Sequence, residues 1–138
     1  VVIVEENVPI KVYMTKKLIG VTPDTTIQEA SRIMVEFDIG SLVVIENDEV
    51  VGFFTQTDII RRVVVPGKPY TTTAKEIMTK DLITVNINTP LKEVLKKMAQ
   101  HRIKHMLIED KGKIVGIFTL SDMLEASRRK LETAIANE

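Results

Sequence analysis

The sequence predicts a mixed α/β (α+β) fold made of two copies of one unit, each running strand, helix, strand, strand, helix, with their sheets packed together about an approximate twofold axis. Three observations predict it: an ungapped internal repeat at an offset of 64 residues, one amphipathic helical pattern per copy, and paired β-branched runs around a polar turn in each copy. The offset carries Met14 onto Met78, Thr15 onto Thr79, Leu18 onto Leu82, Val21 onto Val85 and Glu29 onto Glu93. It still holds at Met34 and Met98, Ile39 and Ile103, Gly52 and Gly116, and Asp58 and Asp122. Roughly one aligned position in three is identical, and most others exchange one apolar residue for another, as core positions tolerate.

The elements follow in order. After "YMTKKLIGV", the residues "TPDTT" can cap a helix, and Ile27, Ala30, Met34 and Phe37 fall at helical spacing. "SLVVI" and "VVGFFT" are strands joined by the turn residues "ENDE", and "DIIRRVV" turns helical with Asp58 near its start. In the second copy Pro90 suits a first helical turn, and Leu91, Val94, Leu95 and Met98 make the apolar face. "HMLI" and "IVGIFT" then flank "EDKGK", and "DMLEASRRKL" begins the last helix. "VVVPGKPYTTTAK", with two prolines and a glycine, is the linker. The predicted boundaries are residues 8–65 and 75–128 for the repeats, 66–74 for the linker and 129–138 for a helical tail. In that tail Leu124, Leu131 and Ile135 form a stripe that packs on its own domain or on a twin subunit.

Composition bounds the function. With 44% hydrophobic and 28% charged residues the 138-residue chain reads as an ordinary soluble globular protein. Its 19 basic and 19 acidic side chains cancel, so nothing in the net charge favours nucleic acid or a membrane surface, although local basic clusters could still bind phosphate. The absence of cysteine excludes disulfides, thiolate zinc sites and cysteine nucleophiles. No apolar run is long enough to span a bilayer, and the start "VVIVEEN" lacks the basic flank of a signal peptide, so a cytoplasmic location is expected. Met34 and Met98 read as core filler, and Lys16 and Lys17 as surface charges. His101 and His105 stand four apart, but "RIKHMLI" leaves the helix between them, against a metal pair.

The duplicated "GFFTQTD" and "GIFTLSD" place hydroxyls and a carboxylate where a strand runs into a helix. A phosphate could lie against Thr55 or Thr119 and a ribose diol could donate to Asp58 or Asp122, although Thr and Asp also serve simply as helix caps. No nucleophile triad, acid pair, phosphate-binding glycine loop or metal-ligand cluster supports catalysis, so a non-enzymatic protein is expected.

The repeated "MTKxLIxV", the amphipathic helix, the hairpin and the closing Gly-x-x-Thr-x-Thr/Ser-Asp together resemble the cystathionine β-synthase (CBS) domain, here as a stand-alone tandem pair covering about residues 8–128. The resemblance implies two clefts between the repeats that bind adenosine compounds such as AMP, ADP, ATP or S-adenosylmethionine, no obligatory cofactor, and pairing into a homodimer whose arrangement responds to ligand. Carried onto this sequence, one cleft joins Thr15, Gly20, Ile39 and Gly40 to Ile117, Thr119, Ser121 and Asp122. The other joins Thr79, Thr84, Ile103 and Lys104 to Phe53, Thr55, Thr57 and Asp58. His105 stands where the family often has a basic, phosphate-facing residue, and its counterpart Ser41 makes the clefts unequal, as do Gly40 and Lys104. Arg61 and Arg62 are either a solvated face or ligands for a phosphate tail. Two rival readings are a docking module with empty clefts that regulates a separately encoded partner, and, ranked lower, nucleic-acid binding through Arg128 to Lys130.

Overall fold

The computed structural model describes residues 5–16 and 18–136; residues 1–4 of the acidic start, Lys17 and residues 137–138 of the expected tail lie outside the described residues. The chain forms two compact units that do not follow the linear repeats. One unit is Leu18–Leu82, and the other combines the described residues before Leu18 with those from Ile83 onward.

The first unit contains β1 (Gly20–Val21), α1 (Ile27–Phe37), β2 (Ser41–Glu46), β3 (Glu49–Thr55), α2 (Gln56–Ile59) and α3 (Ala74–Ile77). Between α2 and α3 the helix continues as one wide π turn over Ile60–Val64, in which the Val65 N–H donates to the Ile60 carbonyl at 2.9 Å. β1 runs parallel and β3 antiparallel to the central β2. The second unit contains β4 (Thr84–Asn86), α4 (Leu91–His101), β5 (His105–Asp110), β6 (Lys113–Thr119) and α5 (Leu120–Ala136), with a 3-10 turn at Ile10–Val12, and its sheet has the same topology. The expected order of elements is therefore present twice, with α3 added where the proline-containing linker meets the second repeat.

Local chemistry explains the elements. Thr26 caps α1 by accepting from the Glu29 N–H at 3.2 Å, and Ile27, Ala30 and Met34 are buried. Phe37, expected on that apolar face, is instead 42% exposed. The reason lies one residue on: Asp38 takes a left-handed conformation (φ 51°), and the chain reverses so that Ile39, not Phe37, packs on the core. Arg102 (φ 54°) and Ile103 repeat this arrangement after α4. Each hairpin turns on two residues of positive φ, Asn47 and Asp48 or Lys111 and Gly112, which match the twist of the flanking strands. Both hairpins also carry a bulge at the matching place, between Val44 and Ile45 and between Ile108 and Glu109. The end of the predicted linker is tied down: Thr72 is buried, its carbonyl accepts from the Ile27 N–H at 2.8 Å, and Ala74 N–H donates to the Thr25 carbonyl at 2.8 Å.

The exchange between repeats is set by the "MT" segments. Thr15 and Ile117 trade two backbone hydrogen bonds of 2.9 Å, and Thr79 and Phe53 trade bonds of 2.8 and 3.0 Å. Beside them Met14 covers Gly116 and Met78 covers Gly52. Each closing strand is thus completed by the opening segment of the other repeat. On α5, Leu124, Leu131 and Ile135 are 56%, 43% and 61% exposed, so the expected stripe does not bury itself on its own unit. Among the described residues no helix is long and apolar enough to cross a membrane.

A Cβ added at Gly116 would stand 2.8 Å from the Thr15 carbonyl oxygen and 2.9 Å from the Met14 sulfur. Gly116→Ala is therefore expected to lose about 1–3 kcal/mol of unfolding free energy. Adding Met14→Ala should not restore it, because the backbone oxygen remains; recovery in urea titrations of the double variant would refute the backbone contact as the constraint.

Candidate ligand-binding site

The closing motif forms a capping box in both repeats. At the β3–α2 junction the Asp58 carboxylate accepts from the Thr55 N–H at 2.8 Å and from the Thr55 hydroxyl at 3.2 Å, while the Asp58 N–H donates back to that hydroxyl oxygen at 3.4 Å. Thr119 and Asp122 reproduce all three distances at the β6–α5 junction. Each strand ends in extended backbone at the Thr, and the third helical residue reaches back, which satisfies N–H groups left unpaired at a helix start. Both bonds that each carboxylate accepts go to Oδ2, so Oδ1 of either Asp takes no part in the cap.

The surroundings of the two carboxylates differ. Asp58 Oδ1 lies 3.9 Å from Nε of Arg62, whose Nη1 donates to the Ile77 carbonyl at 2.5 Å. In the second repeat Ala126 stands at the position matching Arg62, and burial raises the Asp122 pKa against the opposing pull of the Thr119 backbone and hydroxyl bonds and of nearby His105. His105 pairs with Thr119 across β5 and β6, as Ser41 pairs with Thr55 across β2 and β3.

The remaining predicted residues fall into two groups. The first unit holds Gly20, Ile39, Gly40, Phe53, Thr55, Thr57, Asp58 and Thr79; the second holds Thr15, Thr84, Ile103, Lys104, His105, Ile117, Thr119, Ser121 and Asp122. Within each unit the Thr of an "MT" segment is bridged to the strand that carries a cap, Thr79 to Phe53 and Thr15 to Ile117. Thr57 and Ser121 are exposed on the first helical turns. Ile39 and Ile103 pack on their cores, and the Gly40 carbonyl accepts from the Gln56 N–H at 3.0 Å. Gly20 has a packing reason of its own, since a Cβ there would run into the Ile45 side chain. Thr84 gives its carbonyl to Lys97 at 2.8 Å, and Lys104 is exposed. The methionines that cover the glycines, and the tie from Arg62 to Ile77, were not predicted as site features; the shared offset of the "MT" and Gly-x-x-Thr motifs is the sequence signal nearest to the first.

Other candidates resolve simply. α4 ends at His101 and β5 begins at His105, and no group of metal-ligating side chains occurs among the described residues. Arg128 pairs with Glu125 and Glu132 at 2.6 Å, Arg129 with Glu125 at 3.2 Å, and Lys130 with Glu5 at 2.9 Å, so this basic cluster is matched by acids. An open groove of about 610 Å³ on the first unit is lined by α1, Ile59, Val64 and Tyr70 and contains none of the predicted ligand residues.

Two repeats of one α/β unit, each closed by a Thr–Asp capping box and completed by the other's opening segment, define a tandem-repeat module. The chain belongs to the CBS domain family, whose model matches residues 4–65 and 74–129, and it is a CBS domain pair. It is 32% identical to the CBS domain-containing protein YhcV of Bacillus subtilis over 93% of both chains. The solved structure of an uncharacterized conserved protein from Pyrococcus horikoshii is 70% identical, with a TM-score of 0.89 over 91% of this chain and 96% of that one. The CBS domain pair of protein MJ0100, solved in complex with 5′-methylthioadenosine and S-adenosyl-L-methionine, is 27% identical, with a TM-score of 0.76 over 88% of this chain and 97% of that one.

The raised pKa of Asp122 has a signed consequence. Its contribution to stability is fully present below the unfolded carboxylate pKa and is lost as pH rises through the folded value. Relative to Asp122→Asn, which keeps an acceptor for the cap, the wild type should become progressively less stable from about pH 4 upward. Denaturation of both proteins across pH 3.5 to 7 checks this, and parallel stability curves would refute it.

Proposed function

We propose that this CBS domain pair is a non-catalytic regulatory module that binds an adenosine compound, AMP, ADP, ATP or S-adenosylmethionine, in clefts between its repeats and thereby shifts the arrangement of a homodimer. The observation that carries this reading is the related MJ0100 pair, whose structure holds two adenosine compounds. The duplicated cap adds chemical support: it leaves an oxygen of Asp58 and of Asp122 for a ribose diol, with Thr57 or Ser121 exposed beside it. In this reading Thr15, Gly20, Ile39 and Gly40 serve with Ile117, Thr119, Ser121 and Asp122, while Thr79, Thr84, Ile103 and Lys104 serve with Phe53, Thr55, Thr57 and Asp58. His105 faces a phosphate. Ligand shifts the dimer only by its difference in affinity for the two arrangements, and a separate protein reads the result.

Pairing is supported by apolar side chains left at the surface, Val35 at 82% and Val65 at 75% exposure on the first unit, and Leu124 and Ile135 on α5. Sedimentation should give a dimer for the wild type and a smaller species for Val35→Glu; a monomeric wild type would remove this part of the reading.

Because each Asp is also a helix cap, the ligand test uses Asp→Asn rather than Asp→Ala. Thermal unfolding is measured with AMP, ADP, ATP, S-adenosylmethionine and NAD. A bound ligand at about a hundred times its dissociation constant adds roughly 2.7 kcal/mol, and Asp58→Asn and Asp122→Asn should each remove the part of the rise that its own cleft supplies while leaving the ligand-free midpoint within a few degrees. If no adenosine compound moves the midpoint, the Thr–Asp pairs are caps alone, and the docking module with empty clefts is the better account.

A further inference from the structure

The two repeats differ in what stands one helical turn past the capping aspartate. In the first, Arg62 lies on the π turn Ile60–Val64; in the second, the residue at the same offset is Ala126 on the regular helix α5. The neighbouring positions keep their places, since Val63 and its counterpart Ser127 are both buried. What changes is therefore the side chain beside the carboxylate and the helical turn that carries it. Wide turns of this kind occur often at functional sites.

Arg62 is held at two points. Its Nη1 donates to the carbonyl of Ile77, the residue just before the "MT" segment, and its Nε lies 3.9 Å from Asp58 Oδ1, the oxygen that the cap leaves. The side chain is still 47% exposed. A guanidinium has five N–H donors in a planar fork, and the contacts with Ile77 and Asp58 engage only part of it. Held in this way, it loses little conformational freedom when it meets an anion, and its fork suits two oxygens of a phosphate. Toward an uncharged ligand the same group works the other way, because it attracts the Asp58 oxygen that a ribose diol would use.

We propose that Arg62 sets the charge preference of the Asp58 half-site, selecting nucleoside phosphates over uncharged adenosine compounds, a selection that the Asp122 half-site, with Ala126, does not make by this route. This inference rests on the adenosine-binding reading given above. Arg62 acts as a specificity-determining residue, and the Ile77 carbonyl is its anchor.

Calorimetric titration with adenosine and with AMP tests it, using the wild type, Asp122→Asn to confine binding to the Asp58 half-site, and Arg62→Ala and Arg62→Lys in that background. Arg62→Ala should weaken AMP by about tenfold or more while leaving adenosine unchanged or tighter, and Arg62→Lys, which keeps the charge but not the fork, should fall between. Equal weakening of both ligands would overturn the proposal and make Arg62 a purely structural tie. So would loss of all binding in Asp122→Asn while the wild type still binds. If the wild type binds neither compound, the adenosine-binding reading itself fails, and this inference with it.

Discussion

Gly52 and Gly116 lie where any side chain would meet a methionine of the opposite repeat, and this steric constraint underlies the rest of the structure. Only with hydrogen in place of Cβ can Met78 and Met14 settle on the closing strands and let Thr79 and Thr15 exchange backbone bonds with Phe53 and Ile117. A half-chain of this size would bury too little apolar surface to be secure alone. By lending its opening segment, each repeat completes the other's unit, and the second core accordingly includes Ile10, Tyr13 and Met14 beside Leu91, Met106 and Phe118. The contact of Met14 with Gly116 joins distant parts of the chain, the kind of pairing whose loop-closure cost is met before its reward.

The same strands end in the Thr–Asp caps, so stability and ligand chemistry share residues. The hydroxyl and carboxylate are not waiting groups: Oδ2 of each Asp and Oγ1 of each Thr already bond to one another and to the backbone. This gives the carboxylate a fixed position, the preorganisation a binding group needs. It also means that removing the side chain changes the helix start as well as the recognition chemistry.

Duplication has not kept the two caps alike in their surroundings. One aspartate has a guanidinium within 4 Å; the other has its pKa raised by burial and has a histidine across the strand pair from its threonine. The cap distances are the same in both. The difference therefore comes from the neighbours at positions 62 and 126, 41 and 105, and 40 and 104, which the backbone geometry leaves free to vary.

The elements and their order were legible in the sequence because they rest on local rules. Helical spacing placed Ile27, Ala30 and Met34 inside, polar turn residues placed both hairpins, and the ungapped offset brought every element of one repeat onto its counterpart. The motif Gly-x-x-Thr-x-Thr/Ser-Asp likewise announced a strand running into a capped helix. Tertiary structure alone decided what periodicity cannot encode. It turned Phe37 outward because a left-handed Asp38 brings Ile39 to the core instead. It left the α5 stripe exposed and opened the helix into a π turn at Arg62. Above all it exchanged the opening segments between the repeats. A linear repeat shows which residues are equivalent, but which copy of Met and Thr completes which strand depends on contacts between residues far apart in the chain, and no local pattern carries that information.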